Sequence, residues 1–381
     1  MKITARELNR STLGRQILLA RETIDVDAAV RRVVALQAQQ PASPYLALWN
    51  RVSGFDPADL DAAFADGKVV KSNQVRMTLH ATHVDDYPAF REATEPTIRA
   101  ARLRDRRFKE SGLTPEDADR LVPEILAFAA QPRPAAELRA WIEEILGGSP
   151  HKGVWWGMRQ YTPLLHAPTG LPWSFGERPA YVAPPTTPIL SDPDVPATSL
   201  QTLVWRYLEG FGPASVADVA QFAMVQRGRA RQALQALSSE LEAIEGPNGE
   251  QLFDIPGALR PDAGTVAPPR LLGMWDNILL AYFDRDRVIP PEYRPFVTRR
   301  NGDVLPTLLV DGYVAGIWHA VEGGIEATPF HELSDDVWEA LADEARSLVA
   351  LLAGRDPMVY SRYNHWWEKP HEFESHLLPG D

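Results

Sequence analysis

A recurring order of elements, helices followed by a short hairpin, does most to constrain how this chain can fold, and it is clearest in residues 199–256. Apolar residues recur at helical spacing in SLQTLVWRYLEGF, and Ser215 is suited to cap a second helix, VADVAQFAMV. A third helix, RGRARQALQALSSE, precedes two short runs joined by Asn248-Gly249, a dipeptide typical of tight hairpins. Three helices and a hairpin are the parts of a winged helix.

Two weaker copies of this order come earlier in the chain. In residues 114–184, Thr114 is suited to cap a helix that begins at Pro115, and two further helical segments follow. In residues 1–90, helical patterns end before VVKS and QVRMTLHAT, which are predicted to pair as a hairpin. The copies share element order rather than residues, so the repeat is inferred from architecture alone.

The pattern changes after residue 268. Strand-like runs alternate with turn dipeptides such as Asn301-Gly302, and a closing helix is predicted from about Ser334 to Leu352, with Gly354 just beyond its end. The chain is therefore expected to adopt an α+β fold with three tandem winged-helix units on a C-terminal all-β scaffold. The units are predicted at residues 1–112, 113–197 and 198–267, and the scaffold at 268–381.

Composition narrows the function classes. The 381 residues include 39 Lys and Arg against 51 Asp and Glu, a net charge of −12, which argues against nucleic acid unless basic residues are concentrated on one face. The chain has no cysteine, which excludes disulfides, thiolate nucleophiles and cysteine-held metals. No apolar run approaches the ~18 residues of a membrane span, and the N-terminus lacks the apolar region of a secretory signal. We expect a cytoplasmic protein without a membrane partner.

Basic residues are concentrated in two stretches. Residues 99–109 hold six Arg or Lys against one Asp, and residues 227–231 hold three arginines. Each stretch is open to two interpretations: an ordinary solvated helix surface, or part of a basic face that contacts DNA phosphates.

The motifs of several enzyme classes are missing from the sequence. It contains no GxxxxGK[ST] loop, no GxGxxG turn, no GxSxG nucleophile elbow and no HExxH helix. His80 and His83 are three positions apart, and on a predicted strand their side chains point to opposite faces. We therefore expect neither a metal nor another cofactor.

The segment with the most unusual content is LQAQQPASPYLALWNRV, residues 36–52, where Gln37 and Gln39 precede Pro41. On a regular helix these two glutamines would lie ~200° apart and could not act together. We predict a helix that loosens before Pro41, which would let both side chains turn toward one point. The spacing alone also fits ordinary polar residues at a helix C-terminus.

Four segments, in this order, resemble the AlkZ-type winged-helix DNA glycosylases, a family that includes the bacterial YcaQ proteins. They are LQAQQPASPYLALWNRV, RMTLH at 76–80, MWDNILLAYFDRDRVIP at 274–290 and LLVDGYVAGIW at 308–318. The resemblance runs from about residue 6 to residue 350, which is most of the chain.

This resemblance implies a C-shaped molecule that binds double-stranded DNA in its concave face. It also implies excision of N7-alkylated purines, including unhooking of the interstrand crosslink made by azinomycin B. The family's catalytic motif maps onto Gln37-Ala38-Gln39, and YcaQ-type members carry an aspartate where this chain has Gln39.

We expect a monomer that needs no protein partner, because nothing in the sequence demands a dimer.

Two neutral amides fit a cationic substrate. Glutamine does not titrate near neutral pH, so it cannot act as a general acid or base. A purine alkylated at N7 already carries a positive charge and leaves as a neutral base, so it needs no acid. Amide oxygens can accept hydrogen bonds from a water and aim it at C1′ of the sugar. No lysine lies in residues 36–52, so a monofunctional enzyme is expected.

Further DNA contacts and alternative functions complete the sequence-based picture. A hairpin is expected to insert into DNA, and the one in residues 297–318 is one candidate, with a plain scaffold turn as the alternative. The arginines predicted to contact DNA are Arg76, Arg227, Arg229, Arg231, Arg299 and Arg300. The alternatives to a glycosylase are a winged-helix transcription regulator, a protein that sequesters a DNA-damaging metabolite, and a hydrolase of another type.

Overall fold

The computed structural model describes residues 1–148, 153–367 and 374–379. Helices and strands are both abundant, in agreement with the predicted α+β class. The helices are α1 (Ala5–Arg15), α2 (Val26–Arg32), α3 (Ser43–Trp49), α4 (Pro57–Ala65), α5 (Tyr87–Leu103), α6 (Arg106–Lys109), α7 (Pro115–Phe128), α8 (Ala135–Ile145), α9 (Val154–Tyr161), α10 (Val195–Phe211), α11 (Val216–Ala223), α12 (Arg227–Ala236), α13 (Arg294–Val297) and α14 (Asp335–Ala353). The strands are β1 (Leu36–Gln37), β2 (Val69–Asn73), β3 (Leu79–His83), β4 (Arg133–Pro134), β5 (Leu165–Ala167), β6 (Ala180–Val182), β7 (Glu242–Glu245), β8 (Gln251–Asp254), β9 (Arg270–Leu272), β10 (Thr307–Val310), β11 (Tyr313–Val321), β12 (Gly324–Pro329) and β13 (His376–Leu378).

The helix starts predicted from capping residues are confirmed. Thr114 and Ser215 each accept a hydrogen bond from the backbone N–H three residues later, and Asp117 and Asp218 complete the reciprocal capping boxes. The helices α10, α11 and α12 and the antiparallel hairpin β7–β8 follow in the predicted order. These signals are local, because a cap or a turn depends on residues that are close in sequence.

A six-stranded sheet joins the first two predicted units. Its strand order is β1-β3-β2-β5-β6-β4, and the antiparallel pair β2–β3 is the hairpin expected in residues 1–90. Lys71 on β2 pairs with His166 on β5, so the sheet continues across the predicted boundary at residue 112. Strands from either side of that boundary therefore belong to one hydrogen-bonded sheet.

The end of α2 differs from the prediction. The helix stops at Arg32 instead of continuing toward Pro41, and Leu36–Gln37 forms strand β1 against Ala81 and His80 of β3. The residues between them, Val33–Ala35, are fully buried, and Val34 has a left-handed φ of 75°, which ends the helix. Pairing with a strand more than 40 residues away decides the local structure here, and no local signal in the segment reveals that partner.

A five-stranded antiparallel sheet of order β13-β12-β11-β10-β9 forms the C-terminal part, as the strand-like runs after residue 268 indicate. Helix α14 packs near it and begins after Ser334, as predicted, although Gly354 caps the helix in a right-handed conformation. The main apolar core is shared, since it contains Leu46 and Trp49 of α3 together with Leu271 and Trp318 of this sheet. The N-terminal segment that carries both glutamines is thus fixed to the C-terminal sheet.

Candidate active site

One pocket of about 560 Å³ brings the two predicted glutamines together. Its walls come from the β1 segment, from the β2–β3 hairpin, from α9 with β5 and β6, and from two loops of the C-terminal part. The lining residues are Gln37, Gln39, Asn73, Met77, Thr78, Leu79, Arg159, Gln160, His166, Pro179, Tyr181, Trp275, Asn301, Gly302 and Asp303.

The short strand β1 and the bend after it bring Gln37 and Gln39 to this pocket. Gln37 is the last residue of β1, the Ala38 N–H still donates to the Leu79 carbonyl, and the chain bends at Gln39. Gln37 is 6% exposed, whereas Gln39 is exposed and makes no hydrogen bond among the described residues. The two glutamines therefore line one pocket from a short strand and the bend after it, instead of from a loosened helix end.

Arg76 holds the carbonyl of Gln37 in one orientation. Gln37 Oε1, His80 Nε2 and Asn277 Oδ1 each lie 2.9 Å from Arg76 Nη2 and share its two N–H groups. Because arginine can only donate, the amide must present its oxygen to Arg76. Arg76 therefore points inward, which does not fit the phosphate contact predicted for it.

No carboxylate neutralises Arg76 among the residues described, and its Nη1 is buried without a partner. Burial, with a smaller effect of Arg285, lowers the pKa of Arg76 to about 9, so the guanidinium remains charged at neutral pH. Its ring neighbour is Phe222, whose centroid lies 5.5 Å from the guanidinium carbon. The site thus contains a fixed cation surrounded by neutral acceptors.

His80 is a neutral acceptor in this network. Burial and then the charge of Arg76 lower the pKa of His80 well below its ordinary value. With Nε2 facing Arg76, the ring proton is assigned to Nδ1, which donates to the Thr78 carbonyl at 3.1 Å. His80 thus supports Arg76, and among the described residues no cluster suited to a metal ion is found.

Asn277 ties the network to the C-terminal part of the chain. Its Oδ1 accepts from Arg76, and its Nδ2 donates to the carbonyl of Ala35, just before β1. The preceding Asp276 is buried and forms a two-pronged ion pair with Arg51, with distances of 2.8 and 2.9 Å. Three of the segments that carried the family resemblance, around Gln37, Arg76 and Asn277, therefore converge on one point.

Unfavourable backbone conformations surround this network. Val34, Arg76, Met77 and Trp275 all have φ between 54 and 75°, in the left-handed region that non-glycine residues rarely occupy. Such conformations cost about 1–3 kcal/mol each and persist only where surrounding structure enforces them. Two left-handed residues in succession turn the Arg76 side chain inward, toward Gln37.

The remaining walls of the pocket supply residues that the sequence-based prediction missed. Arg159 and Gln160 come from α9, and His166 comes from β5. Burial, then the charges of Lys71 and Arg159, lower the pKa of His166 to about 3, so its ring is neutral at neutral pH. Only tertiary packing brings α9 to the β1 segment, and no motif signals it.

A tight loop at residues 299–303 forms another wall. Thr298 and Val304 bridge its base, and Gly302, with φ of +92°, supplies the left-handed residue that the turn needs. The Asp303 carboxylate accepts from Asn301 Nδ2 at 2.8 Å and from Trp366 Nε1 at 3.0 Å. The predicted turn at Asn301-Gly302 is therefore present, and it lies beside the two glutamines.

The other predicted DNA-contacting arginines have different degrees of exposure. Arg227, Arg231 and Arg300 are exposed on the surface, as a phosphate contact requires. Arg229 is half-buried on α12 and lies near the carbonyls of Ala93 and Pro196.

Arg299 is also half-buried, with its guanidinium carbon 5.1 Å from the centroid of the Trp366 ring. Its Nε and Nη2 are buried without partners among the described residues. None of these arginines except Arg76 is hydrogen-bonded to either glutamine.

The basic stretch at residues 99–109 is largely engaged with partners inside the protein. Arg99 is paired with Asp119, and Arg107 is paired with Asp105. Arg102 and Arg107 also lie over the ring of Trp156, at 5.0 and 3.7 Å from its centroid. These partners favour a structural role for much of the stretch.

Comparison with known proteins identifies the family of this chain. The family described as DNA glycosylase AlkZ-like matches residues 30–351. The interstrand DNA cross-link repair glycosylase of Streptomyces sahachiroi is 25% identical over 370 residues, which cover 91% of this chain and 95% of that protein. The solved structure of Streptomyces sahachiroi DNA glycosylase AlkZ has a TM-score of 0.76 and 22% identity, and the match covers 93% of this chain and 98% of that one.

The resemblance inferred from the four sequence segments is thus confirmed over most of the chain. No helix in the described parts of the chain has the length and apolarity of a membrane span. The chain belongs to the AlkZ-like family of DNA glycosylases, enzymes that cleave the bond between a base and its deoxyribose.

Proposed function

We propose that this glycosylase is monofunctional and hydrolyses the N-glycosidic bond of cationic N7-alkylpurines in double-stranded DNA, with Gln37 and Gln39 at the reacting centre. The observation that carries the proposal is the shared pocket: both amides line it, one anchored by Arg76 and the other exposed. Membership of a glycosylase family also argues against the alternative of a non-catalytic transcription regulator.

The chemistry needs no titrating residue. When the bond from C1′ to the base nitrogen breaks, its electron pair neutralises the positive charge of the alkylated ring, and the sugar becomes oxocarbenium-like. A water then adds to C1′ and releases a proton to solvent. Positioning this water is the help that two neutral amides can give, and each tenfold gain in rate requires about 1.4 kcal/mol.

We propose different roles for the two glutamines in positioning the water. One lone pair of Gln37 Oε1 is occupied by Arg76, which leaves the second for the water and fixes its direction. Gln39 has no partner among the described residues and offers its whole amide group. We therefore propose that Gln37 orients the water and that Gln39 accepts the stronger hydrogen bond from that water.

A covalent route through an amine is not favoured by the lining of the pocket. No lysine is among the described residues that form its wall, and a Schiff base needs an amine beside C1′. The product should therefore be an abasic site in an intact strand.

Interstrand crosslinks of the azinomycin type are proposed as further substrates. The relative from Streptomyces sahachiroi is named for cross-link repair, and a base tied to the opposite strand cannot enter a closed pocket. The exposure of Gln39 fits a site that accepts a base without enclosing it.

The proposed binding mode uses the whole chain. We propose that residues 1–112, 113–197 and 198–267 act as winged-helix units on the 268–381 scaffold, with DNA in the concave face of a C-shaped molecule. The pocket supports this arrangement because its wall comes from the first two units and the scaffold together. The loop at residues 299–303, with exposed Arg300, is proposed to contact DNA beside the lesion, and Arg227 and Arg231 to contact phosphates.

We also propose that the chain acts in the cytoplasm as a monomer with no obligate protein partner. This proposal extends the expectation from the sequence, in which no feature demands a dimer.

A duplex with a single N7-methylguanine tests the proposed function. The duplex is incubated with excess enzyme and then treated with alkali, which cleaves the strand at an abasic site. We expect cleavage at the lesion, and little with matched duplexes that carry uracil or hypoxanthine, because those neutral bases need leaving-group activation. Excision of uracil at a comparable rate would contradict the proposal, as would an intact N7-methylguanine strand.

A further inference from the structure

Arg159 and Gln160 are adjacent on α9 and both line the pocket that contains the two glutamines. They are absent from the segments that carry the family resemblance, and the mechanism above does not use them. Their position raises the question of what their polar groups contact when DNA is bound.

Both side chains have unsatisfied polar groups. Gln160 Oε1 and Arg159 Nε are buried without a hydrogen-bond partner, and Arg159 has no carboxylate partner among the described residues. Nearby arginines differ in this respect, since Arg99 is paired with Asp119 and Arg107 with Asp105. Buried polar groups are normally satisfied, so an unpaired donor and an unpaired acceptor on two residues that line one pocket indicate a ligand with complementary groups.

The surroundings of Arg159 are electropositive. Its charge and that of Lys71 both act on the neutral His166, and Arg102 lies close enough to feel the charge of Arg159. A further positive charge is Arg76, which also has neutral partners. An electron-rich oxygen is therefore the group that this wall would attract most strongly.

We propose that Arg159 donates a hydrogen bond to O6 of an N7-alkylguanine and that Gln160 Oε1 accepts one from the N1–H of the same base. This inference rests on the proposed function. Guanine presents an acceptor at O6, whereas adenine presents an amino donor at the equivalent position. The pair therefore makes the enzyme prefer alkylated guanine over alkylated adenine.

The same contact assists departure of the base. As the glycosidic bond breaks, the base gains electron density, and O6 becomes a stronger acceptor. A hydrogen bond from a cation to that oxygen strengthens along the reaction, which lowers the barrier instead of merely tightening binding. Arg159 thus contributes to the rate at saturation for guanine lesions and not for adenine lesions.

The test compares Arg159→Met, Arg159→Lys and a control, Arg120→Met, in which an exposed arginine outside the pocket is replaced. Single-turnover excision is measured with saturating enzyme on duplexes that carry N7-methylguanine or N3-methyladenine, which is also cationic. We expect R159M to lose about tenfold or more in the N7-methylguanine rate and to change the N3-methyladenine rate by less than about threefold. R159K should retain part of the guanine rate, because lysine can also donate to O6.

Binding of undamaged duplex as a function of salt separates base recognition from a phosphate contact. A phosphate contact predicts weaker binding and a shallower salt dependence in R159M, with both excision rates equally reduced or unchanged at saturation. That outcome, or a normal N7-methylguanine rate in a folded R159M protein, would overturn the inference and leave the proposed function intact. If the unaltered enzyme releases no N7-methylguanine, the proposed function and this inference both fail.

Discussion

Arg76 and Gln37 are 39 residues apart in the chain, yet Arg76 Nη2 lies 2.9 Å from Gln37 Oε1. The same nitrogen also contacts Asn277, which is 201 residues further on. The amide that we propose to be catalytic is thereby oriented by a cation that has no carboxylate partner among the described residues, so the orientation of Gln37 depends on Arg76 directly.

Replacement of Arg76 should therefore slow excision more than it weakens DNA binding. In Arg76→Met the Gln37 amide is free to rotate, and a misplaced catalytic group can cost on the order of 100-fold in rate. We expect single-turnover excision of N7-methylguanine to fall by about 10- to 100-fold, with duplex affinity nearly unchanged. Arg76→Lys should recover part of the loss, because lysine can donate to Gln37 Oε1. A large drop in affinity with an unchanged rate at saturation would instead indicate a phosphate contact.

The excision rate should be flat between about pH 6 and pH 8. Glutamine does not titrate in this range, and the pKa values of His80 and His166 both lie below it. The pKa of Arg76, about 9, lies above it. A single-turnover pH profile on an N7-methylguanine duplex provides the measurement. A bell-shaped profile with two slopes inside this window would show that a titrating acid and base take part.

His166 should make the fold less stable as the pH falls. Its pKa is about 3 in the folded protein and about 6.5 in an unfolded chain, so the unfolded chain binds one more proton between these values. Stability is therefore lost as the pH drops below about 6.5, and this residue alone accounts for about 2 kcal/mol between pH 8 and pH 5. Denaturant unfolding of His166→Gln should show a pH slope shallower by that amount.

A matched control for the last prediction is His365→Gln, which replaces a histidine outside the pocket. This variant measures how the pH slope responds to a histidine replacement that leaves the pocket wall intact. An unchanged slope in His166→Gln would show that the ring of His166 titrates normally in the fold.

The product of the reaction should be an uncut abasic site. With no lysine among the described residues of the pocket wall, borohydride added during the reaction should trap no covalent protein–DNA adduct. Lys71 is the amine to test if an adduct forms, because burial lowers its pKa to about 8. Trapping that disappears in Lys71→Met would overturn the monofunctional assignment.

The parts of the fold that the sequence predicts well are the local ones. The caps at Thr114 and Ser215 and the hairpins depend on neighbouring residues, and they are found where expected. The predicted end of α2 is wrong, because the chain after the helix pairs with β3, a strand that is distant in the sequence. The sequence alone does not reveal that Gln37 and Gln39 line the same pocket, because this depends on that pairing.

The candidate site likewise combines residues that the sequence indicates with residues that only the tertiary structure brings together. Gln37 and Gln39 could be identified from a motif, and Arg76, His80 and Asn277 lie in segments whose resemblance is visible in sequence. The roles of these three residues could not be predicted from those segments, because the inward direction of Arg76 depends on two successive left-handed residues. Arg159 and Gln160 reach the pocket only through packing of α9, so no spacing in the sequence reveals them.

Single-turnover excision of N7-methylguanine by Gln37→Ala, Gln39→Ala and Gln40→Ala tests the assignment of the reacting centre most directly. Gln40 is the matched control, because it neighbours the pair but donates to the Tyr363 hydroxyl at 2.8 Å and does not line the pocket. We expect each of the first two variants to lose about 100-fold or more in rate with duplex affinity within a few fold, and Gln40→Ala to remain close to the unaltered enzyme. Near-normal rates in both Gln37→Ala and Gln39→Ala would show that the amides are not the catalytic groups.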